Sequence, residues 1–439
     1  MRTKATKLCG AIVALSVLAS LTVSRVHADD QDADLRKQAL RLNEITGTEA
    51  RLGEQEKLLK KENKPTTKKL LAEAARMAEE KPQPFNYNAT LILGAVAIGV
   101  KDYRAAETFY RIHMDQAKKL RSAKGLMSAY RGLIASAYAK RKYAQTERLC
   151  AEATKNETIL GALASLAGEK DKDPEVKELK SFVSTMLETQ INAVALQGDA
   201  DRAVKLIDDV LRDQSDGWLG LDLKARAFRF AGKNEDAIKA YEDEIQRLKE
   251  DNDLKKKEKE DQIDSVNYAE SGVYIELDQV DKAVEKLKDL LAKHPDDPTY
   301  NNDLGYVWAD HDMNLAESEK MVRKALEQDR KRRQEANPKL KPEEIKDTGA
   351  YLDSLGWVLY KQKKYVEAKR YLRQAVQNMV EEDENESIEI YDHLGDVLLA
   401  LGQKAEAVEV WKKGVAAAGD TKREQKRKDE VQKKLKANE

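Results

Sequence analysis

Residues 351–377 read YLDSLGWVLYKQKKYVEAKRYLRQAVQ, and this stretch decides the fold. Its apolar residues recur every three or four positions, which is typical of amphipathic helices, and the polar run 361–364 separates two of them. Small and bulky residues stand at fixed intervals along it: Leu355, Gly356, Ala368, Leu372 and Ala375. The stretch therefore predicts a hairpin of two helices that approach closely at the small residues.

The same intervals recur in two other segments. Residues 391–416 read YDHLGDVLLALGQKAEAVEVWKKGVA, and their corresponding residues are Leu394, Gly395, Ala407, Trp411 and Gly414. The segment that begins with Leu304 and Gly305 fits with one extra residue in its turn, which gives Ser318 and Ala325. Repetition of this kind indicates a row of similar helix pairs.

A Leu-Gly step lets two helices approach each other because glycine has no side chain to hold them apart. We expect Ala368 to pack into the notch at Gly356. Leu372, one turn further along the same helix face, is expected to fill the seam to the next pair. The corresponding residues of the other pairs have the same expected roles.

This pattern, with Leu-Gly on a first helix and alanine, a bulky residue and a small residue on a second, resembles the tetratricopeptide repeat. The resemblance covers roughly residues 85–418, closely from 265 to 418 and more loosely before. It implies an all-α fold, a right-handed superhelical solenoid of antiparallel helix pairs. The stretches that begin at Asp303 and Tyr391 also look like those of exported bacterial repeat proteins.

Extending the register towards the N-terminus predicts one small residue on the second helix of each pair. These residues are Ala106, Thr146, Ala203, Ala237, Ala283, Ser318, Ala368 and Ala407. Lys224, Gln190 and Glu270 stand where the family has leucine, so the middle repeats depend on the Gly and Ala positions. We expect a left-handed residue in the turns between paired helices. Three glycines fill this role: Gly198, Gly232 and Gly402.

The predicted organisation has five parts. They are a signal peptide (1–28), an N-terminal helical cap (29–84), degenerate repeats (85–264), well-matched repeats (265–418) and a charged C-terminal helix or tail (419–439). The last part is rich in basic residues and poor in apolar ones.

The first 28 residues differ in kind from the rest. Three basic residues and no acid occupy 1–7, an uncharged and largely apolar run occupies 8–23, and Val26-His27-Ala28 precedes Asp29. This is the pattern of a secretory signal peptide, which predicts a periplasmic or secreted protein with no membrane insertion after cleavage. An uncleaved N-terminal anchor is the alternative, although a spanning helix needs about 20 residues.

Composition and motifs favour a binding protein over an enzyme. Removal of residues 1–28 leaves 74 basic against 79 acidic side chains, which is not the basic footprint of a nucleic-acid binder. The sequence contains no His-Glu-x-x-His, no phosphate-binding loop and no paired zinc cysteines, and it therefore predicts no catalysis, cofactor or metal. His311 between Asp310 and Asp312 is interpreted as an exposed turn rather than a metal site.

The family resemblance implies where a partner would bind. In tetratricopeptide repeats the first helices line a concave groove, and the ligand-facing positions lie two before, two after and five after the Leu of Leu-Gly. In this chain they are Asn302, Tyr306 and Ala309; Asp353, Trp357 and Tyr360; and Asp392, Asp396 and Leu399. The family's Lys and Asn clamp for a terminal carboxylate is not present at these positions.

The residues at these positions are acidic and aromatic, so we expect them to bind an extended protein segment that carries Lys or Arg. The alternative interpretation is that the aromatic residues complete helix packing and the acids form a solvated rim. The sequence thus predicts a scaffold that binds other proteins or peptides, and the competing function is a structural or assembly factor that associates with itself.

Overall fold

The structure is a computed structural model that describes residues 32–166, 173–341, 344–381, 386–419 and 422–439. The predicted signal peptide, residues 1–28, lies outside the described residues. Within the described ranges every regular element is a helix, which confirms the predicted all-α class. The described residues divide into two compact units on either side of the bond between residues 206 and 207, and the division falls inside a helix.

The described residues of the first unit form a succession of helices. They are α1 (residues 32–41), α2 (Thr48–Leu59), α3 (Lys64–Met77), α4 (Tyr87–Gly99), α5 (Tyr103–Lys119), α6 (Ala123–Ala139), α7 (Tyr143–Thr154), α8 (Glu157–Ser165) and α9 (Pro174–Leu196). Helix α10 (Ala200–Leu211) contains the division between the units.

The second unit continues the succession of helices. They are α11 (Trp218–Phe230), α12 (Asn234–Glu250), α13 (Lys256–Glu276), α14 (Val280–Lys293), α15 (Pro298–Asp310), α16 (Leu315–Ala336), α17 (Gly349–Lys361), α18 (Tyr365–Glu381), α19 (Ile388–Ala400), α20 (Lys404–Ala417) and α21 (Lys422–Asn438). The segment predicted as a charged helix or tail is therefore helical.

Helices of the second unit form consecutive pairs, α11 with α12 through α19 with α20. The first helices of the last pairs, α15, α17 and α19, also contact one another in order, and α21 contacts both α19 and α20. Each pair therefore buries its faces on the next one, as a solenoid requires. In both units the eight predicted small residues of the second helices are fully buried.

The packing at the Leu-Gly pairs differs from the expected packing. A Cβ placed on Gly356 would lie 2.5 Å from Cγ of Leu372, and one on Gly395 would lie 2.2 Å from Nε1 of Trp411. The bulky residue of the second helix, rather than Ala368, is therefore what fills the notch. A whole side chain is needed there because a methyl group would leave a cavity in a close-packed interior.

The first unit uses the same arrangement with one ring for two glycines. The Tyr110 side chain on α5 would lie 3.0 Å from a Cβ on Gly94 of α4 and 2.0 Å from one on Gly132 of α6. Tyr110 is the bulky residue four positions after Ala106, so the register found near the C-terminus also describes packing here.

Turns within pairs contain a left-handed residue, as expected. The three predicted glycines have positive φ: 85° at Gly198, 73° at Gly232 and 75° at Gly402. Other turns use a polar residue in this conformation, with φ of 59° at Lys101 and 65° at Lys363. Sequence reasoning could not find these turns from glycine alone.

Candidate functional site

The seven predicted groove residues lie on α15, α17 and α19 of the second unit, and we call this set of residues the C-terminal groove. They are Asn302, Tyr306, Asp353, Trp357, Tyr360, Asp392 and Asp396. Four of them are buried, namely Asn302, Asp353, Trp357 and Asp392, and the other three are half-buried. Of the two remaining family positions, Ala309 is fully buried and Leu399 is exposed.

Aromatic rings are stacked along this groove. The Trp357 indole lies between Tyr360, at a centroid distance of 4.9 Å, and the imidazole of His393, at 4.0 Å. Its Nε1 donates a hydrogen bond of 2.9 Å to Oδ1 of Asp310. Trp357 therefore joins neighbouring helices by its contacts within the chain.

His393 is fully buried and was not among the predicted site residues. Its Nδ1 lies 3.0 Å from Oδ1 of Asp353, and Nη1 of Arg427 lies 3.4 Å from its Nε2. Burial lowers the pKa of His393, but the Asp353 carboxylate outweighs that effect and leaves the pKa above its ordinary value. The only sequence signal was its place directly before Leu394.

Glu389 is a second residue that the sequence prediction missed, because it lies five positions before Leu394. It accepts a hydrogen bond of 2.5 Å from the Tyr306 hydroxyl and pairs with Arg423 at 2.7 Å and Arg427 at 3.1 Å. Burial opposes ionisation, yet the two guanidinium groups prevail and lower the pKa of Glu389 to about 2. The contact from Tyr306 joins α15 to α19.

Basic residues of α21 reach the predicted acids of the C-terminal groove. Nζ of Lys434 lies 2.6 Å from Oδ1 of Asp392 and 2.7 Å from Oδ2 of Asp396. Nη1 of Arg427 lies 3.2 Å from Oδ2 of Asp392. Both predicted aspartates of α19 are therefore already paired with Lys or Arg, and the basic segment comes from the chain itself.

Apolar burial contributes little to the docking of α21. Val431 is fully buried and Leu435 packs partly against the same core cluster as α19. In comparison, α19 buries six aliphatic or aromatic side chains: Ile388, Ile390, Tyr391, Leu394, Val397 and Leu398. Charge pairing and one or two apolar contacts thus hold α21 in place.

The acidic side chains in and beside the C-terminal groove pair with basic side chains of the same chain. Carboxylates of Glu389, Asp392 and Asp396 converge on guanidinium and ammonium groups, and the stacked rings give a rigid wall beside them. Among the described residues no group of three or more His, Cys, Asp or Glu side chains has the geometry to hold a metal ion. No helix in the described part of the chain is both long and apolar enough to cross a bilayer.

Comparison with known proteins gives a family and several similar chains. A family model described as tetratricopeptide repeat matches residues 272–297. The TPR repeat-containing protein PA4667 of Pseudomonas aeruginosa is 28% identical over 208 residues, which are 47% of this chain and 30% of that protein. The chain thus matches about 30% of the length of this relative.

The comparison with solved structures gives two further similar chains. A tetratricopeptide repeat protein from Parabacteroides merdae has 14% identity and a TM-score of 0.41, with 69% of this chain and 98% of that chain covered. The apo form of RapI has 13% identity and a TM-score of 0.40, with 68% and 79% covered.

Proposed function

The chain is a tetratricopeptide-repeat protein, and on this basis we propose that it is a non-catalytic scaffold of the cell envelope that binds other proteins through the C-terminal groove. The partner segments carry Lys and Arg. Repeats of this type suit such a role because an elongated stack offers a large surface for its mass.

One observation carries the proposal. Lys434 lies between the carboxylates of Asp392 and Asp396, within 2.8 Å of both. A surface that pairs this way with a lysine of its own chain has the charge and spacing to accept a lysine from a partner. Charge-assisted bonds of this kind are the stronger hydrogen bonds in proteins.

The segment of the chain that pairs with these acids, α21, is helical, whereas the sequence analysis expected an extended ligand. The carboxylates recognise the spacing of basic groups rather than the backbone, so either conformation that matches the spacing supports the same role.

Cross-linking in the native envelope tests this function. We compare the wild-type chain with the variant Glu389→Gln/Asp392→Asn/Asp396→Asn and identify the partner peptides joined to α17 and α19 by mass spectrometry. We expect basic partner segments in the wild type and their loss in the variant. A matched control, Asp281→Asn/Glu285→Gln/Asp289→Asn, changes three exposed acids of α14 and should leave capture unchanged. Equal capture by all three proteins contradicts the groove assignment.

Export is part of the same proposal. It is supported by the basic start, the uncharged apolar run 8–23 and the small residues of Val26-His27-Ala28. N-terminal sequencing of the protein from the envelope fraction should find Asp29 as the first residue. Detection of the intact N-terminus in the membrane fraction would support an uncleaved anchor instead.

A further inference from the structure

A basic helix, α21, already lies against the part of the C-terminal groove that α19 forms. Its contact residues Arg423, Arg427, Val431 and Lys434 are spaced by four, four and three positions, so they form one stripe along the helix. Arg423 and Arg427 pair with Glu389, and Lys434 pairs with Asp392 and Asp396. The acids that the proposed function assigns to a partner are thus engaged within the chain.

Contacts of this composition are easier to exchange than those of the other helices. Burial of apolar side chains is the main force that holds packed helices together, and α21 has one fully buried apolar residue, Val431. Leu435 adds a partly buried apolar contact, and the ion pairs of α21 have basic members that are partly exposed to solvent. A partner helix that supplies the same charges replaces each of these contacts without leaving a buried carboxylate unpaired.

We propose that the C-terminal groove recognises a basic amphipathic helix with the spacing of α21, and that α21 covers this surface until such a helix displaces it. The inference rests on the proposed function, because it names the partner class of that same groove. The partner stripe has basic residues at the first, fifth and twelfth positions and an apolar residue at the ninth. A partner binds only after α21 has left the groove. Its apparent affinity is therefore the intrinsic affinity multiplied by the fraction of chains in which the groove is open.

A labelled peptide tests both statements on the full-length protein. The probe is a fluorescein-labelled synthetic peptide of residues 422–439, and the measurement is its dissociation constant by fluorescence anisotropy. In the variant Arg423→Gln/Arg427→Gln/Lys434→Gln the internal helix is loosened. We expect this variant to bind the probe at least about tenfold more tightly than the wild type, since more of the groove is open.

Two matched variants control for charge and for folding. Lys426→Gln/Lys433→Gln/Lys436→Gln removes three exposed basic residues from the same helix and should bind the probe as the wild type does. Val431→Asp should detach α21 because it places a charge at the buried apolar contact. It leaves Glu389, Asp392 and Asp396 unchanged. It should gain affinity for the probe even if the first variant fails to fold, and circular dichroism verifies the folded state of each protein.

Each result has a definite meaning. If the loosened variants and the wild type bind equally well, and Glu389→Gln/Asp392→Asn/Asp396→Asn does not bind, then α21 does not cover the groove, although the proposed function stands. If no folded variant binds the probe, the inference and the proposed groove are both wrong. If α21 only caps the last pair, loosening lowers the melting temperature without any gain in probe affinity. A concentration-dependent mass with α21 cross-linked to a second copy would also overturn the inference, and would favour self-association.

Discussion

The imidazole of His393 lies flat on the indole of Trp357, with ring centroids 4.0 Å apart and an angle of 14° between the planes. The same imidazole also lies 3.0 Å from the carboxylate of Asp353 on α17, which is itself buried. A titratable pair and an aromatic stack therefore share one ring, so we expect the packing of α17 against α19 to respond to pH.

The first prediction concerns this pH dependence. The folded-state pKa of His393 is raised above its ordinary value of 6.5, so folded His393 holds its proton more tightly than the unfolded chain does. The resulting stability is fully present below pH 6.5 and is lost as the pH rises through the folded pKa. We expect the urea midpoint of the second unit to fall above pH 6.5, and to fall less in His393→Gln. Parallel profiles for both proteins would contradict the role of His393.

The second prediction concerns the contribution of Trp357 to helix packing. Because this side chain is buried, Trp357→Ala should lower the free energy of unfolding by roughly 3–5 kcal/mol. Trp357→Phe keeps a ring in the stack but removes the hydrogen bond to Asp310 and part of the buried ring, which should cost about 1–3 kcal/mol. Guanidinium denaturation measures both. A loss below about 1 kcal/mol in Trp357→Ala would mean that the ring is not part of the packed interior.

The third prediction concerns the notch at Gly356. Gly356→Ala places a methyl group 2.5 Å from Leu372 Cγ and should destabilise by about 1–3 kcal/mol. Leu372→Ala opens a cavity that can accept this methyl group. The double variant should therefore lose at least about 1 kcal/mol less than the sum of the two single losses. Gly53→Ala is the control, because no atom lies within 4 Å of its added Cβ, and it should be neutral or slightly stabilising. Additive losses would show that the two positions do not meet.

The fourth prediction concerns a buried acid on α12. Glu244 is almost fully buried, and its Oε2 has no hydrogen-bond partner among the described residues. Burial, followed by the nearby Asp222 carboxylate, raises its pKa to about 8. Its neutral form is favoured in the folded chain, so this stability is present below pH 4.5 and is lost as the pH rises to 8.

Glu244→Gln removes the charge and should exceed the wild type in stability at pH 9 by at least about 1 kcal/mol. The exposed Glu235 on the same helix supplies the control variant Glu235→Gln, for which we expect no change. A wild-type stability that does not vary between pH 5 and 9 would contradict this assignment. Chemical denaturation at the two pH values provides the measurement.

The sequence predicted the faces of the helices better than the contacts between them. A small residue at a fixed interval from a Leu-Gly pair indicates that two helices approach each other, and Ala106, Ala368 and Ala407 are buried accordingly. The identity of the residue in the notch depends on how far the helices rotate, which the intervals do not record. For this reason Leu372 was expected in a seam and lies against Gly356.

The C-terminal groove was harder to predict than the fold. Tyr306 meets Glu389 only because α15, α17 and α19 lie side by side with a spacing that lets one tyrosine reach past α17. Such a contact depends on how two successive helix pairs are placed relative to each other. The basic residues of α21 resemble those of any solvated helix, so no local pattern separates Arg427 and Lys434 from exposed Lys433.

A single ring in the first unit has a consequence for how this chain can vary. Tyr110 fills the space beside Gly94 and the space beside Gly132, which belong to two different helix pairs. A side chain at Gly132 would displace the ring, and one at Gly94 would press on the same ring from the other helix pair. We therefore expect changes at these three positions to be coupled, so that two neighbouring repeats of this chain evolve together.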